Sequence, residues 1–183
     1  MTLAGGARSP QALELTPQTA ALASVAEALD SADVEHWFFG GWGVDLWVGR
    51  VTRPHEDIDV LVLRREQPEV DAALTAAGWV HTPHDDDVVG TNYAGDGADL
   101  QLTFADVGDD GGVVVPVPGA PVVVSTGPLT PARRHLGHLQ VRVLPLAKLL
   151  ETKASPRPDG AGAEKDRADV EALSTLSDDG TTG

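Results

Sequence analysis

The sequence predicts an α+β fold: a mixed β-sheet in the middle of the chain, with helices at its ends and along one side. Three observations lead there. Helical periodicity (Leu22, Val25 and Leu29; Val70 and Leu74) gives way after Trp79 to alternating and β-branched runs, and returns after residue 144. The 183 residues, 42% of them hydrophobic, suffice for one cored domain rather than two. Strand and helix signals also interleave from residue 35 onward, as a mixed sheet with helical connections requires.

Taken in order, residues 1–15 are small and polar and read as a flexible N-terminus. Thr16-Pro17 reads as an N-cap followed by proline in the first turn of a helix. Residues 35–39 read as a short strand, ended by Gly40-Gly41, and 42–48 as a helix with Asp45 in its first turn, where it would favour the helix dipole. Residues 51–55 form a loop and 57–63 a strand. Residues 67–77 form an amphipathic helix that Gly78 stops. The polar segment 81–88 leads to Thr91-Asn92-Tyr93, a turn at Gly95-Asp96-Gly97 and a strand over 99–104. Valine runs at 113–117 and 122–124, joined through PGAP, predict a hairpin, and 139–144 another strand. Helices over 145–153 and 165–176 are separated by the linker ASPRPDGAGA, and SDDGTTG at 177–183 reads as a disordered tail. Residues 16–176 thus form a single domain.

Composition narrows the function. The chain has no cysteine, which excludes disulfides, thiolate metal sites and cysteine nucleophiles. No apolar run approaches the roughly 20 residues of a membrane helix, and the N-terminus lacks a signal peptide's basic start and apolar core. A cytoplasmic protein without a membrane partner is expected. The net charge of −15 disfavours nucleic acid and favours metal ions or cationic small molecules, although it also fits a solvating acidic surface.

The chemistry concentrates between residues 38 and 62. In a strand, Asp57 and Asp59 project side by side while Ile58 and Val60 face the core. If the strand bearing Asp99 pairs beside it, a third carboxylate arrives about 5 Å away. Such oxygen ligands suit a hard divalent cation, most simply Mg²⁺, which relieves their repulsion. Taken in isolation, a D-x-D fits an exposed strand face better than a metal site. Upstream, however, Gly40-Gly41 joins a strand to a helix, where backbone N–H groups and the helix dipole can cradle phosphate. Together the two motifs supply both halves of a nucleoside triphosphate·Mg²⁺ site.

The run GGWGVDLWVGRVTRPHEDIDVLV resembles the signature of the nucleotidyltransferase superfamily that shares a palm-like core with DNA polymerase β. More narrowly, it resembles the antibiotic nucleotidyltransferases that modify aminoglycosides and lincosamides. The resemblance implies a palm-like core with a short C-terminal helical segment, two Mg²⁺ ions bound by Asp57, Asp59 and Asp99, and ATP as nucleotide substrate. It gives Asp99 the further role of general base on the acceptor hydroxyl. Gly40 and Gly41 match the glycines that hold the triphosphate, and Lys153 a lysine that neutralises phosphate charge. Arg53 and His55 stand close enough to reach phosphate or acceptor. The implied reaction moves a nucleoside monophosphate, AMP in the first instance, onto a hydroxyl of a small molecule. An aminoglycoside-like polycation suits the acidic charge; a lincosamide, another metabolite, or the partner protein of a toxin–antitoxin pair are the alternatives. The short C-terminus leaves room for a homodimer that completes the acceptor site.

Other residues carry two readings each. Trp37, Trp42 and Trp47 pack the core or stack a base; Tyr93 lines an acceptor cleft or packs a sheet edge. Lys165, Asp166 and Asp169 form a solvated face with an i,i+4 pair between Lys165 and Asp169, or a phosphate-contacting lysine held by its neighbours. The run His84-Asp85-Asp86-Asp87 attracts a polycation or simply solvates a loop. Arg133 and Arg134 read as surface residues, and His135 and His138 receive no role.

Overall fold

In a computed structural model, residues 16–84, 88–95, 97–130, 132–155 and 160–178 are described. The expectations for residues 1–15, for Asp85, Asp86, Asp87 and Asp96, for residues 156–159 of the linker and for the last five residues lie outside them. The first helix, α1 (Pro17–Ser31), opens on a capping box: the Thr16 side chain accepts from the Thr19 N–H, and Thr19 returns the bond to the Thr16 backbone. Its apolar stripe, Leu22, Val25 and Leu29, is fully buried.

Strand β1 (His36–Phe38) leads directly into α2 (Gly40–Val48), then β2 (Asp57–Leu63) and α3 (Gln67–Ala76). Next come β3 (Val80–His81), β4 (Gly90–Gly95), β5 (Ala98–Val107), and the expected valine hairpin of β6 (Val113–Val115) and β7 (Val122–Ser125). A second hairpin joins β8 (Ala132–Leu136) to β9 (Leu139–Val143), and α4 (Leu146–Ala154) and α5 (Gly160–Asp178) follow. The described strands run β3-β4-β5-β2-β1-β9-β8, with β6 and β7 extending from β5. The pairs β2·β5 and β1·β9 are parallel and the rest antiparallel, which gives the mixed sheet the sequence predicts.

Register assigns the faces. Ile58, Val60 and Val62 lie opposite Leu100, Leu102 and Phe104, and all six are buried. This face carries α1 and α3, because Tyr93, level with Leu100, donates its hydroxyl proton to Asp71 of α3. Alternation therefore turns Asp57, Asp59, Asp99 and Gln101 to the other face, against which α2 packs, with α5 packed in turn on α2 and α4. No described helix is long and apolar enough to cross a membrane.

Three elements depart from the expected boundaries. Helix α2 begins at Gly40, so the two glycines are its first residues rather than a preceding break. Strand β8 was not anticipated: ARRHL carries too little apolar alternation to announce itself. It forms because Gly137 (φ +60°) lets a two-residue turn fold it back on β9, with Leu136 opposite Leu139. Helix α5 begins at Gly160, inside the supposed linker, and continues without interruption into the charged run EKDRAD.

Candidate active site

The site is built where β1 hands over to α2. The Phe39 N–H donates to the Asp59 carbonyl (3.1 Å), which ties the start of the helix to the acidic strand. Gly40 follows in a left-handed conformation (φ +61°), and a Cβ there would strike the Asp59 carboxylate. A Cβ on Gly41 would strike the His55 ring and the Arg53 guanidinium. The glycines thus let the side chains of Asp59, His55 and Arg53 close around the first turn of a helix, where backbone N–H groups lack intrahelical acceptors. Among the described residues no side chain caps that turn.

The loop between α2 and β2 is held from beneath by Asp45. This residue is the sixth of α2, not part of the first turn as the sequence suggested, and it is fully buried. Its role as a dipole anion is thereby replaced by another. One oxygen lies 2.6 Å from His55 Nε2; the other accepts from the Thr52 N–H (3.1 Å) and the Thr52 hydroxyl. The His55 ring also leans on Trp42 (4.6 Å between centroids), and Gln18 of α1 donates to the His55 carbonyl. With its Nε2 on Asp45, His55 presents its Nδ1 edge to Gly41.

A polar cleft of about 250 Å³ results, lined among others by Gly40, Gly41, Arg53, His55, Asp57 and Asp59. Gln101, Lys153, Lys165 and Asp166 complete much of the wall. The parallel register places Asp99 level with Asp57 and Gln101 level with Asp59. Asp99 is exposed and stands outside the lining, and among the described residues no three acidic or histidine side chains converge as a ready-made metal cage. The expected trio is thus adjacent in the sheet, with only Asp57 and Asp59 turned into the cleft itself.

The cations of the cleft are paired. Lys153, 6% exposed, lies 3.1 Å from Asp166 and 2.8 Å from Asp169, while Arg53 lies 3.2 Å from Asp169. Lys165 reaches Glu56 (3.0 Å) rather than Asp169, so the expected i,i+4 pair on a solvated face gives way to buried acids on α5. Sequence reading left Asp166 and Asp169 open and gave no site role to Asp45, Gln18 or Gln101. Their signal lies in long-range pairing, apart from the i,i+3 spacing of Asp166 and Asp169, which puts both on one helix face.

Other candidates fall away from the cleft. Tyr93 is buried on the α3 side, stacked near His81 (4.9 Å between centroids), and burial together with Asp71 pushes its hydroxyl far above the usual tyrosine range. It packs the fold and does not line an acceptor cleft. Trp37 and Trp42 are core residues, and Trp47 donates to the Leu144 carbonyl (2.9 Å) beneath the Arg134 guanidinium.

The sequence model of the aminoglycoside-2''-adenylyltransferase family matches residues 21–173, which spans the whole of this site. The chain belongs to that family. A 63-residue stretch is 33% identical to a 2''-aminoglycoside nucleotidyltransferase of Escherichia coli, covering 34% of this chain and 36% of that protein; a Klebsiella pneumoniae counterpart matches equally. The matched stretch therefore spans about a third of these curated relatives. Among solved structures, the lincosamide antibiotic adenylyltransferase LnuA, bound to lincomycin, superposes with a TM-score of 0.68 at 17% identity, covering 91% of this chain and 99% of that one. ANT(2'')-Ia in complex with adenylyl-2''-tobramycin superposes at 0.57 with 20% identity, covering 88% and 99%. These likenesses establish the nucleotidyltransferase fold expected from the resemblance.

Proposed function

We propose that this protein transfers the adenylyl group of ATP to a hydroxyl of an aminoglycoside, with pyrophosphate as the leaving group, in the cleft between Gly40-Gly41 and the Asp57–Asp59 strand. The observation that carries this reading is the convergence of an open helix N-terminus and a same-face carboxylate pair on one polar cleft. Membership of the family favours an aminoglycoside over the other acceptors. The higher structural likeness to a lincomycin-bound enzyme supports a lincosamide as the second reading.

The donor set fits a hard cation: Asp57 and Asp59 offer only oxygens, on one face and on one rigid strand, with Asp99 level beside them. Mg²⁺ held there would polarise the phosphate and lower the cost of charge that develops in the displacement. The remaining work falls to the chain. The backbone N–H groups of Gly40 and Gly41 receive phosphate oxygens at the positive end of α2. Arg53 and Lys153 neutralise the triphosphate, and His55, fixed by Asp45, presents Nδ1 to the same region. The Asp99 carboxylate takes the proton of the attacking hydroxyl, for which its exposed position beside Asp57 leaves an approach from solvent.

The test is mass spectrometry of a pooled aminoglycoside and lincosamide panel incubated with Mg²⁺ and each nucleoside triphosphate, wild type beside Asp59→Asn. A product heavier by one adenylyl group (AMP less water), from wild type alone, is expected. Both Asp57→Asn and Asp59→Asn should lower turnover by at least ~10²–10³-fold, the loss typical of removing one transition-state contact, with little change in circular dichroism. Turnover by Asp59→Asn near the wild-type rate would sink the assignment.

A further inference from the structure

Helix α5 holds two buried acids against the cations of the cleft: Asp166 belongs to the lining, and Asp169 contacts both Arg53 and Lys153. Asp169 is 2% exposed. Its Oδ1 accepts from Arg53 Nε (3.3 Å) and its Oδ2 from Arg53 Nη2 (3.2 Å), a two-pronged fork. The same Oδ2 lies 2.8 Å from Lys153 Nζ, which Asp166, 5% exposed, holds from a second direction at 3.1 Å. The guanidinium is pinned further: Nη1 donates to the Pro54 carbonyl (3.2 Å), and Nη2 stands 2.8 Å from the point a Cβ on Gly41 would occupy. One carboxylate therefore ties together the loop of Arg53, helix α4 of Lys153 and helix α5, at the N-terminus of α2.

We propose that Asp169 is a positioning residue for nucleotide binding: it aims Arg53 and Lys153 at the phosphates lodged on Gly40-Gly41, with Asp166 steadying Lys153. This rests on the nucleotide site proposed above. Among the described residues each of these cations already faces an acid, so the contribution argued for Asp169 is direction rather than net field. Direction is what a long cationic side chain lacks. Arginine and lysine sample many rotamers, and contact with a phosphate at a fixed helix terminus needs one of them. An ammonium carries three donors; with two directed to Asp166 and Asp169, the orientation of the group about its stem is set before a ligand arrives. A plain strap between α4 and α5 would need only the Lys153 contacts. The Arg53 fork draws in the loop between α2 and β2 as well, and it places the guanidinium over Gly41.

The experiment is calorimetric titration of Mg²⁺·ATP into wild type, Asp169→Asn, Asp169→Glu and Arg53→Lys, with KM and kcat for nucleotide and acceptor and a thermal melt of each. Asp169→Asn keeps the size and loses the charge-assisted fork. It should weaken ATP binding and raise the nucleotide KM at least tenfold, leave the acceptor KM within about twofold, and change kcat less than KM. Asp169→Glu should recover part of the loss. Arg53→Lys keeps the charge but cannot fork, and should raise the nucleotide KM in the same way. It decides the matter should Asp169→Asn fail to fold. In an Arg53→Gln background, Asp169→Asn should cost less than it does alone. Unchanged or tighter nucleotide binding in Asp169→Asn, whatever its melting temperature, overturns the proposal; so does an unchanged nucleotide KM in Arg53→Lys. Wild type that binds no Mg²⁺·ATP removes the nucleotide site and this inference with it, whereas equal binding by wild type and Asp169→Asn removes the inference alone.

Discussion

Gly40 is where sequence and site meet most closely. The pair Gly40-Gly41 is legible as a break between strand and helix, and the phosphate cradle proposed for it rests on helix electrostatics. What it makes room for is not legible: the Asp59 carboxylate on one side, His55 and Arg53 on the other. Alanine at Gly40 would combine a left-handed φ, costing about 1–2 kcal/mol for a residue with a Cβ, with displacement of Asp59. Gly40→Ala should therefore fold with a melting temperature only a few degrees lower, yet lose nucleotide binding measured by calorimetry. Retained binding would mean the glycine serves only the turn. Asp57 and Asp59 were readable from their spacing alone, because a period of two is a local property of strands. The level placement of Asp99 beside Asp57 depended on which strands pair.

Among the elements, α2 with its following loop behaves as one unit because Asp45 holds both. A fully buried carboxylate bonded to His55 Nε2 and to two groups of Thr52 leaves several polar atoms stranded when it is removed. Breaking such a buried set from one side typically costs about 3–5 kcal/mol, worth roughly 10 °C in a domain of this size. Asp45→Ala should show that loss in a thermal melt, and His55→Ala a smaller one, because it removes the ring and leaves Asp45 its Thr52 bonds. A drop below about 2 °C for Asp45→Ala would mean that water replaces the contact freely. The sequence placed Asp45 near a helix start, and from there a dipole role is the economical reading. The helix in fact begins two residues earlier, which carries Asp45 inward. Strand β8 and the early start of α5 were missed for a related reason. Neither ARRHL nor GAGA has a pattern of its own; the first is held by β9 across the Gly137 turn, the second by α4 and α2 packing on α5.

For the molecule as a whole, charge and burial set two dependences on conditions. A net charge of −15 should draw a polycationic acceptor over long range. Raising salt from about 0.05 to about 0.5 M shortens the screening length well below 10 Å, so the acceptor KM should rise several-fold while kcat changes little; a KM insensitive to salt would argue for an uncharged acceptor. The second dependence comes from His36, fully buried in β1, with Nδ1 bonded to the Val34 carbonyl (2.9 Å) and no partner for Nε2 among the described residues. Burial pushes its pKa below the ordinary 6.5; Asp30 opposes this shift, and Arg142 and Arg133 reinforce it. The unfolded chain then binds a proton that the folded one refuses, so this residue costs stability as pH falls through about 6.5 and nothing well above it. Urea midpoints should decline between about pH 7 and pH 5, and His36→Leu should flatten that decline; an equal slope in both would rule His36 out as its source.

By itself the sequence determined the class of fold, the face of β2 on which Asp57 and Asp59 lie, the glycine-opened helix, and through their joint signature the family. All of these are written in spacings of two to four residues or in one contiguous run, where backbone geometry leaves little choice. Only the tertiary structure decided that Asp45 lies beneath the site rather than at a helix end, that Tyr93 belongs to the packing under α3, and that Asp166 and Asp169 meet Arg53 and Lys153, the cations of the cleft wall. Those facts join residues as far apart as 53 and 169. Their energy comes from attraction between opposite charges in surroundings where little water screens them, set against the cost of desolvating them, a property that no local stretch of the chain contains.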